Sequence, residues 1–201
     1  MPTGFALTAF SLSFLGAVQC NAIKFISTSG FEEPVTVQFG FTSHEDVSFF
    51  YSAEEDYRYV VKSCVDYSPE VDIDTKWKAA TAFSILPLCL GGFSFLWMVA
   101  EQCSLNPHWF DCVVSLLAFF FQGLSLLLLD SNACKNNSVI QAISDAPYHD
   151  GVTFPERCTI STGMKCIISA IVFWFLAALT SADTYMAKRK KEDAPLTEPL
   201  I

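Results

Sequence analysis

The chain has 201 residues, of which 52% are hydrophobic and only 16% charged, and its mean hydropathy is +0.37. Soluble domains of this length carry about 25% charged residues, so a single water-soluble globule is a poor fit, and the length allows one domain or two. Twenty-one acidic against 12 basic residues give a net charge of −9, which argues against a nucleic-acid binder, while 19 Phe argue against disorder.

The first charge in the chain is Lys24, so residues 1–23 form an uncharged block. An apolar stretch from Phe5 to Val18 is followed by Gln19 and Cys20. Two readings stand: a first transmembrane helix, or a signal peptide cut after Cys20. The missing positive n-region and the polar Thr8, Ser11, Ser13 and Gln19 favour a retained helix packed on neighbours.

Residues 24–78 are the only sizeable soluble segment. Val35 to Thr42 alternates apolar and polar residues, as a half-buried strand does. Asp46 to Tyr51 and Tyr57 to Val65 are rich in aromatic and β-branched residues, and Phe25 to Thr28 is a further candidate. Gly30, Pro34, the run Glu54 to Asp56, and Ser68-Pro69 mark turns. The expectation is a small antiparallel sheet of three or four strands. About 55 residues make a thin core, so it should lean on the second outer loop, the helix ends or a disulfide. The segment holds 11 acidic and five basic residues and so carries −6 of the net −9. Such a face attracts cations or a basic partner, although a solvated surface needs no partner at all. His44, Glu45 and Asp46 could touch a metal, but no second cluster lies at ligand spacing, and no metal site is assigned.

Residues 79–100 are uncharged and long enough for a second transmembrane helix. Pro87 allows a kink, and Gly91, Gly92 and Ser94 allow a neighbour to approach. Residues 101–111 are a short loop, and residues 112–129 a third helix containing the run Ala118 to Phe121 and the run Leu126 to Leu129. Gln122 lies near its middle and is read as a polar contact inside the bundle, with a pore-lining role as the other reading. Residues 130–161 form a second, smaller outer loop. Residues 162–182 form a fourth helix, with Lys165 reaching to the interface, and residues 183–201 a tail. Trp77, Trp97 and Trp109 fall near the expected interfaces, where aromatic belts form, and Trp174 lies deeper.

Lys188 to Lys191 follow the fourth helix closely and place the tail in the cytoplasm. Counting back, both large loops lie outside or in a lumen, and with four helices the N-terminus is cytoplasmic too. The membrane is then the plasma membrane or an endomembrane. Asn136-Asn137-Ser138 is a glycosylation sequon in the second outer loop, making Asn136 the candidate acceptor. Cys134 and Cys158 bracket that loop and are the first choice for a disulfide. Cys64 is left to pair with Cys20, Cys166 or a partner chain. Cys89 reads as a small apolar residue, and Cys103, beside the membrane, is a palmitoylation candidate.

No Asp, Glu, Lys, Arg or His lies inside the four uncharged blocks, 1–23, 79–100, 112–129 and 166–182, which weighs against active transport. There is no Cys-x-x-Cys, phosphate loop, His-Glu-x-x-His or nucleophile elbow. His108 with Glu101 or Asp111 would be the only acid–base set at a helix end. No catalytic residue and no cofactor is therefore assigned. The fold class expected is membrane α-helical: a four-transmembrane-helix bundle with a small antiparallel extracellular β-sheet.

The order of parts is helix, β-rich loop of about 55 residues, helix, short inner loop, helix, smaller outer loop, helix and basic tail. It resembles the claudin and peripheral-myelin-protein tetraspan superfamily. That family's first loop normally carries a Trp, a Gly-Leu-Trp-like turn and two Cys about ten residues apart. Here the loop holds one Cys, Cys64, and its only Trp is Trp77. The resemblance implies adhesion, assembly or an accessory role, without enzymatic activity. Its partners would be the lipid bilayer and other copies or other membrane proteins, with a pore-forming channel subunit as the alternative. A terminal Leu200-Ile201 could enter a groove that reads C-termini, but Pro199 lacks a donor for the added strand.

Overall fold

A computed structural model describes residues 2–28, 34–52, 57–101, 109–135, 137–145 and 153–192. The chain is mostly helical, with one small antiparallel sheet. Helix α1 spans Pro2–Val18, α2 Thr75–Glu101, α3 Trp109–Leu124, α4 Ser138–Ser144 and α5 Thr162–Glu192. The strands are β1 Ile23–Ile26, β2 Thr36–Phe39, β3 Ser43–Ser52, β4 Tyr57–Asp66 and β5 Thr159–Ile160.

Among the described residues, three helical segments are long and apolar enough to cross a membrane: Thr75–Trp97, Trp109–Asp130 and Thr162–Lys190. The chain is thus a multi-pass membrane protein by length and composition. Helix α1 is uncharged and largely apolar but shorter. It packs along α5, which packs on α3, and α3 packs on α2. Small residues set the closest approach: a Cβ on Gly16 would fall 2.7 Å from Ile167 and 2.8 Å from the Gly163 carbonyl.

Helix boundaries differ from the sequence reading for identifiable reasons. The second helix starts at Thr75, not residue 79, because the Asp74 carboxylate accepts the Trp77 N–H at 2.8 Å and caps it. Pro87 sits inside α2 without ending it, as neighbouring helices allow in a membrane. The third helix starts at Trp109, and its last turns, Ser125–Asp130, tighten to a 3-10 helix. The fourth helix does not stop at residue 182. It runs to Glu192, since Lys and Arg are good helix formers and sit well at a helix C-terminus. The tail assigned to residues 183–201 therefore begins as helix.

The sheet has the order β4-β3-β2-β1-β5, antiparallel throughout. Its fifth strand comes from the second outer loop, which the sequence reading assigned no strand. The first strand lies two residues earlier than expected, and β2 is shorter than the alternating run Val35 to Thr42. Ile23, Phe25, Val37 and Phe39 bury one face of the sheet on the helix ends, against Trp77, Leu128, Met164 and Ile167. Trp77 is thus not an interfacial anchor. It is fully buried in the core between the sheet and the helix ends. A second, smaller core lies deeper, around Ala9, Ala118, Ala170 and Trp174.

Candidate functional site

Two regions hold the residues that the sequence singles out. The first is the sheet and the disulfides that tie it down. Cys134 pairs with Cys158, the pair expected from their spacing around the loop. Cys64, on β4, pairs with Cys20, just past the end of α1. One staple thus closes the second outer loop and the other ties the edge of the sheet to the first helix. Among the described residues, Cys89, Cys112 and Cys166 are free. Cys103 and the sequon residue Asn136 lie outside the described residues. The next residue, Asn137, is buried and caps α4, its side-chain oxygen accepting from Val139 N and Ile140 N at 3.1 and 3.0 Å.

The segments on either side of α2 and α3, around Asp74 and Asn132, also clasp one another through polar groups. Asp74 N donates to Asn132 Oδ1 at 3.4 Å, and Asn132 N donates to Asp74 Oδ2 at 3.2 Å. Asn132 Nδ2 donates to the Asp72 carbonyl at 2.6 Å, and Lys76 pairs with Asp130. Nothing in the sequence pattern isolates Asn132, because its partner lies 58 residues away.

A row of rings links the sheet to α2. His44 stacks between Phe39 and Tyr67, with centroids 5.9 and 5.1 Å away, and Tyr67 meets Trp77 edge-on at 4.8 Å. Tyr67 donates its hydroxyl to the Gly40 carbonyl at 3.0 Å, and burial pushes its phenol well above the ordinary value. Burial holds the His44 imidazole below its ordinary value, and the nearby Asp46 carboxylate opposes this only in part. His44 is spent on packing, and no group of three or more potential metal ligands forms among the described residues.

The sheet ends in a projecting hairpin. Strands β3 and β4 pair over ten residues, Ser43 to Ser52 against Tyr57 to Asp66, whereas β2 and β3 pair only at Phe39 and His44. Lys62 on β4 spans the junction, pairing with Glu45 at 3.5 Å and donating to the Thr36 carbonyl at 2.7 Å. Strand β4 is the edge of the sheet. An edge carries a row of unpaired backbone donors and acceptors, which can template pairing with another chain.

The second region is a polar contact inside the helices. Ser13 on α1 donates to Gln122 Oε1 on α3 at 2.7 Å, and Trp174 Nε1 on α5 donates to Ser13 Oγ at 3.2 Å. All three side chains are buried, Gln122 completely. Gln122 therefore makes the contact expected of it, and Ser13 is the centre of a link joining three helices. The sequence offered Ser13 only as one of several polar residues in an apolar run. Ser125 Oγ adds a bond to the Gln122 carbonyl at 2.6 Å. Of the acid–base set, Asp111 stands at the start of α3 and Glu101 at the end of α2, while His108 lies outside the described residues.

A scan against protein-family models gives no match, and a search of the curated proteins gives none either.

Proposed function

We propose that the chain is a non-enzymatic membrane protein of claudin-like architecture, with α1 as a fourth crossing, whose outer sheet joins it to other copies or to other membrane proteins. The observation that carries this reading is the β3–β4 hairpin. It extends beyond its single pair with β2, and among the described residues no strand pairs with the outer side of the ten-residue β4. An isolated two-stranded hairpin is marginal in water, so a partner strand supplies what the sheet does not. The acidic outer segment, −6 in net charge, adds preference for a partner with basic groups beside the strand.

Sidedness follows from the basic run Lys188 to Lys191, which puts both termini in the cytoplasm and the stapled sheet outside or in a lumen. Disulfides on the sheet side agree with an oxidising compartment. The order of helices and strands supports the likeness to the claudin superfamily, although the staple joins Cys64 to Cys20 rather than two cysteines of one loop. A pore-lining role would need Gln122 on a lumen, and its burial against Ser13 favours the bundle contact instead.

Gentle extraction from native membranes and sedimentation tests the reading. The 22.3 kDa chain is expected in a larger complex, of its own copies or with other membrane proteins. Recovery as a monomer alone would overturn it.

A further inference from the structure

Between α1 and α2 lies a cavity of about 190 Å³ with almost wholly apolar walls. Ala6 and Phe10 form one side, Gly91, Gly92 and Phe95 the other, and the Trp174 ring closes it. At Gly91 an added Cβ would fall 2.7 Å from the Phe10 ring and 3.1 Å from Trp174, so three helices meet there. One residue further, at Gly92, an added Cβ would meet nothing within 4 Å. The space opens beyond that tight contact.

We propose that this cavity takes one acyl chain of an anionic phospholipid, from the leaflet on the side of the α5 C-terminus. The proposal requires only that α1 and α2 lie in the bilayer, and it stands apart from the association reading. Chemistry comes first. Apolar cavities of about 150 Å³ stay dry and take up hydrocarbon, so this one has room for a stretch of methylenes and little to hold water. Access comes next. Leu7 and Phe95 line the cavity and are each 50% exposed, so it opens on the outward, apolar face of the helices.

Depth then selects a chain rather than a compact molecule. Gly92 lies nine residues before the end of α2 at Glu101, about 14 Å along the axis at about 1.5 Å per residue. One leaflet contributes about 15 Å of a hydrocarbon core of about 30 Å. A chain entering from that surface runs along the cavity, which Thr3 at the start of α1 and Phe95 line toward the helix ends and Gly92 and Trp174 line at depth. Charge selects the headgroup: Lys188, Arg189 and Lys190 lie about 21 Å or more beyond Trp174 on α5, at the headgroup level of the same leaflet, where they attract anionic lipid.

The test uses full-length protein in nanodiscs of phosphatidylcholine and phosphatidylserine, the serine lipid carrying a diazirine near its chain end. After illumination, peptide mapping should place adducts on Phe10, Phe95 and Trp174. Gly92→Leu fills the open space and should cut that labelling by roughly tenfold, as expected for excluding a few buried methylenes. Gly123→Leu, where an added Cβ also meets nothing within 4 Å, should leave it unchanged. Intact Cys20–Cys64 and Cys134–Cys158 pairs report that each variant has folded. If Gly92→Leu loses them, Ala6→Leu on the opposite wall carries the same expectation. Adducts spread evenly over outward residues such as Leu117 and Val172, or unchanged by filling the cavity, would overturn the proposal. So would equal labelling from a phosphatidylcholine probe or preferential labelling by a sterol probe.

Discussion

The Ser13 hydroxyl does more than its size suggests. It donates to Gln122 and accepts from Trp174, so removing it orphans two buried groups at once. Interhelical hydrogen bonds in membranes are worth about 0.6 kcal/mol on average and up to about 1.7. Ser13→Ala should therefore sit at the upper end of that range. Gln122→Leu should cost less, because it also removes an amide nitrogen that meets no acceptor. Unfolding in mixed micelles measures both, and a harmless Ser13→Ala would contradict the link. His44 gives a pH prediction with a definite sign. Its folded value lies below the ordinary 6.5, so below about pH 6.5 the unfolded chain binds a proton that the folded domain resists. The contribution is full above that pH and is lost as pH falls through the folded value. Thermal unfolding of the outer domain should weaken on acidification, and less so in His44→Phe, which keeps the ring stack. Equal pH slopes for the two proteins would contradict this.

At the level of elements, the staples and the strands carry the outer domain. Chain-entropy reasoning assigns roughly 3 to 4 kcal/mol to each disulfide, with loops of 24 and 44 residues closed. Cys158→Ser should lower the melting point of the outer domain and expose the second outer loop to protease first. Non-reducing peptide maps should join Cys64 to Cys20, and a Cys64–Cys166 peptide would contradict the fold. Both strands of the hairpin were legible, because aromatic and β-branched runs mark them directly. The Cys134–Cys158 pair was legible from one short loop, whereas Cys64 had three open choices that only the placement of α1 resolves. Strand β5 was not legible: two residues, Thr159 and Ile160, make no pattern, and only pairing with Ile23 and Lys24 makes them a strand. Trp77 misled for a similar reason. Its position at a helix start suggests an interface, but the sheet folds over it and buries it.

For the whole molecule, the hydrophobic blocks announce four helices, three of which are long and apolar enough among the described residues to cross a membrane, and the soluble segment announces a sheet. What the pattern does not carry is how the two loops combine. Asp74 with Asn132, β1 with β5, and Cys20 with Cys64 are contacts between distant segments, and together they make one unit at the end of the helices from three parts of the chain. That unit, resting on the helix ends with β4 unpaired on one side among the described residues, is the basis of the proposed association. Site-specific photo-cross-linking in native membranes tests it most directly. A benzophenone amino acid replaces Tyr59 on β4 in one protein and Leu117, on an outward face of α3, in another. The account predicts protein adducts from position 59 and few from position 117. Adducts from position 117 alone, or from neither position, would contradict it.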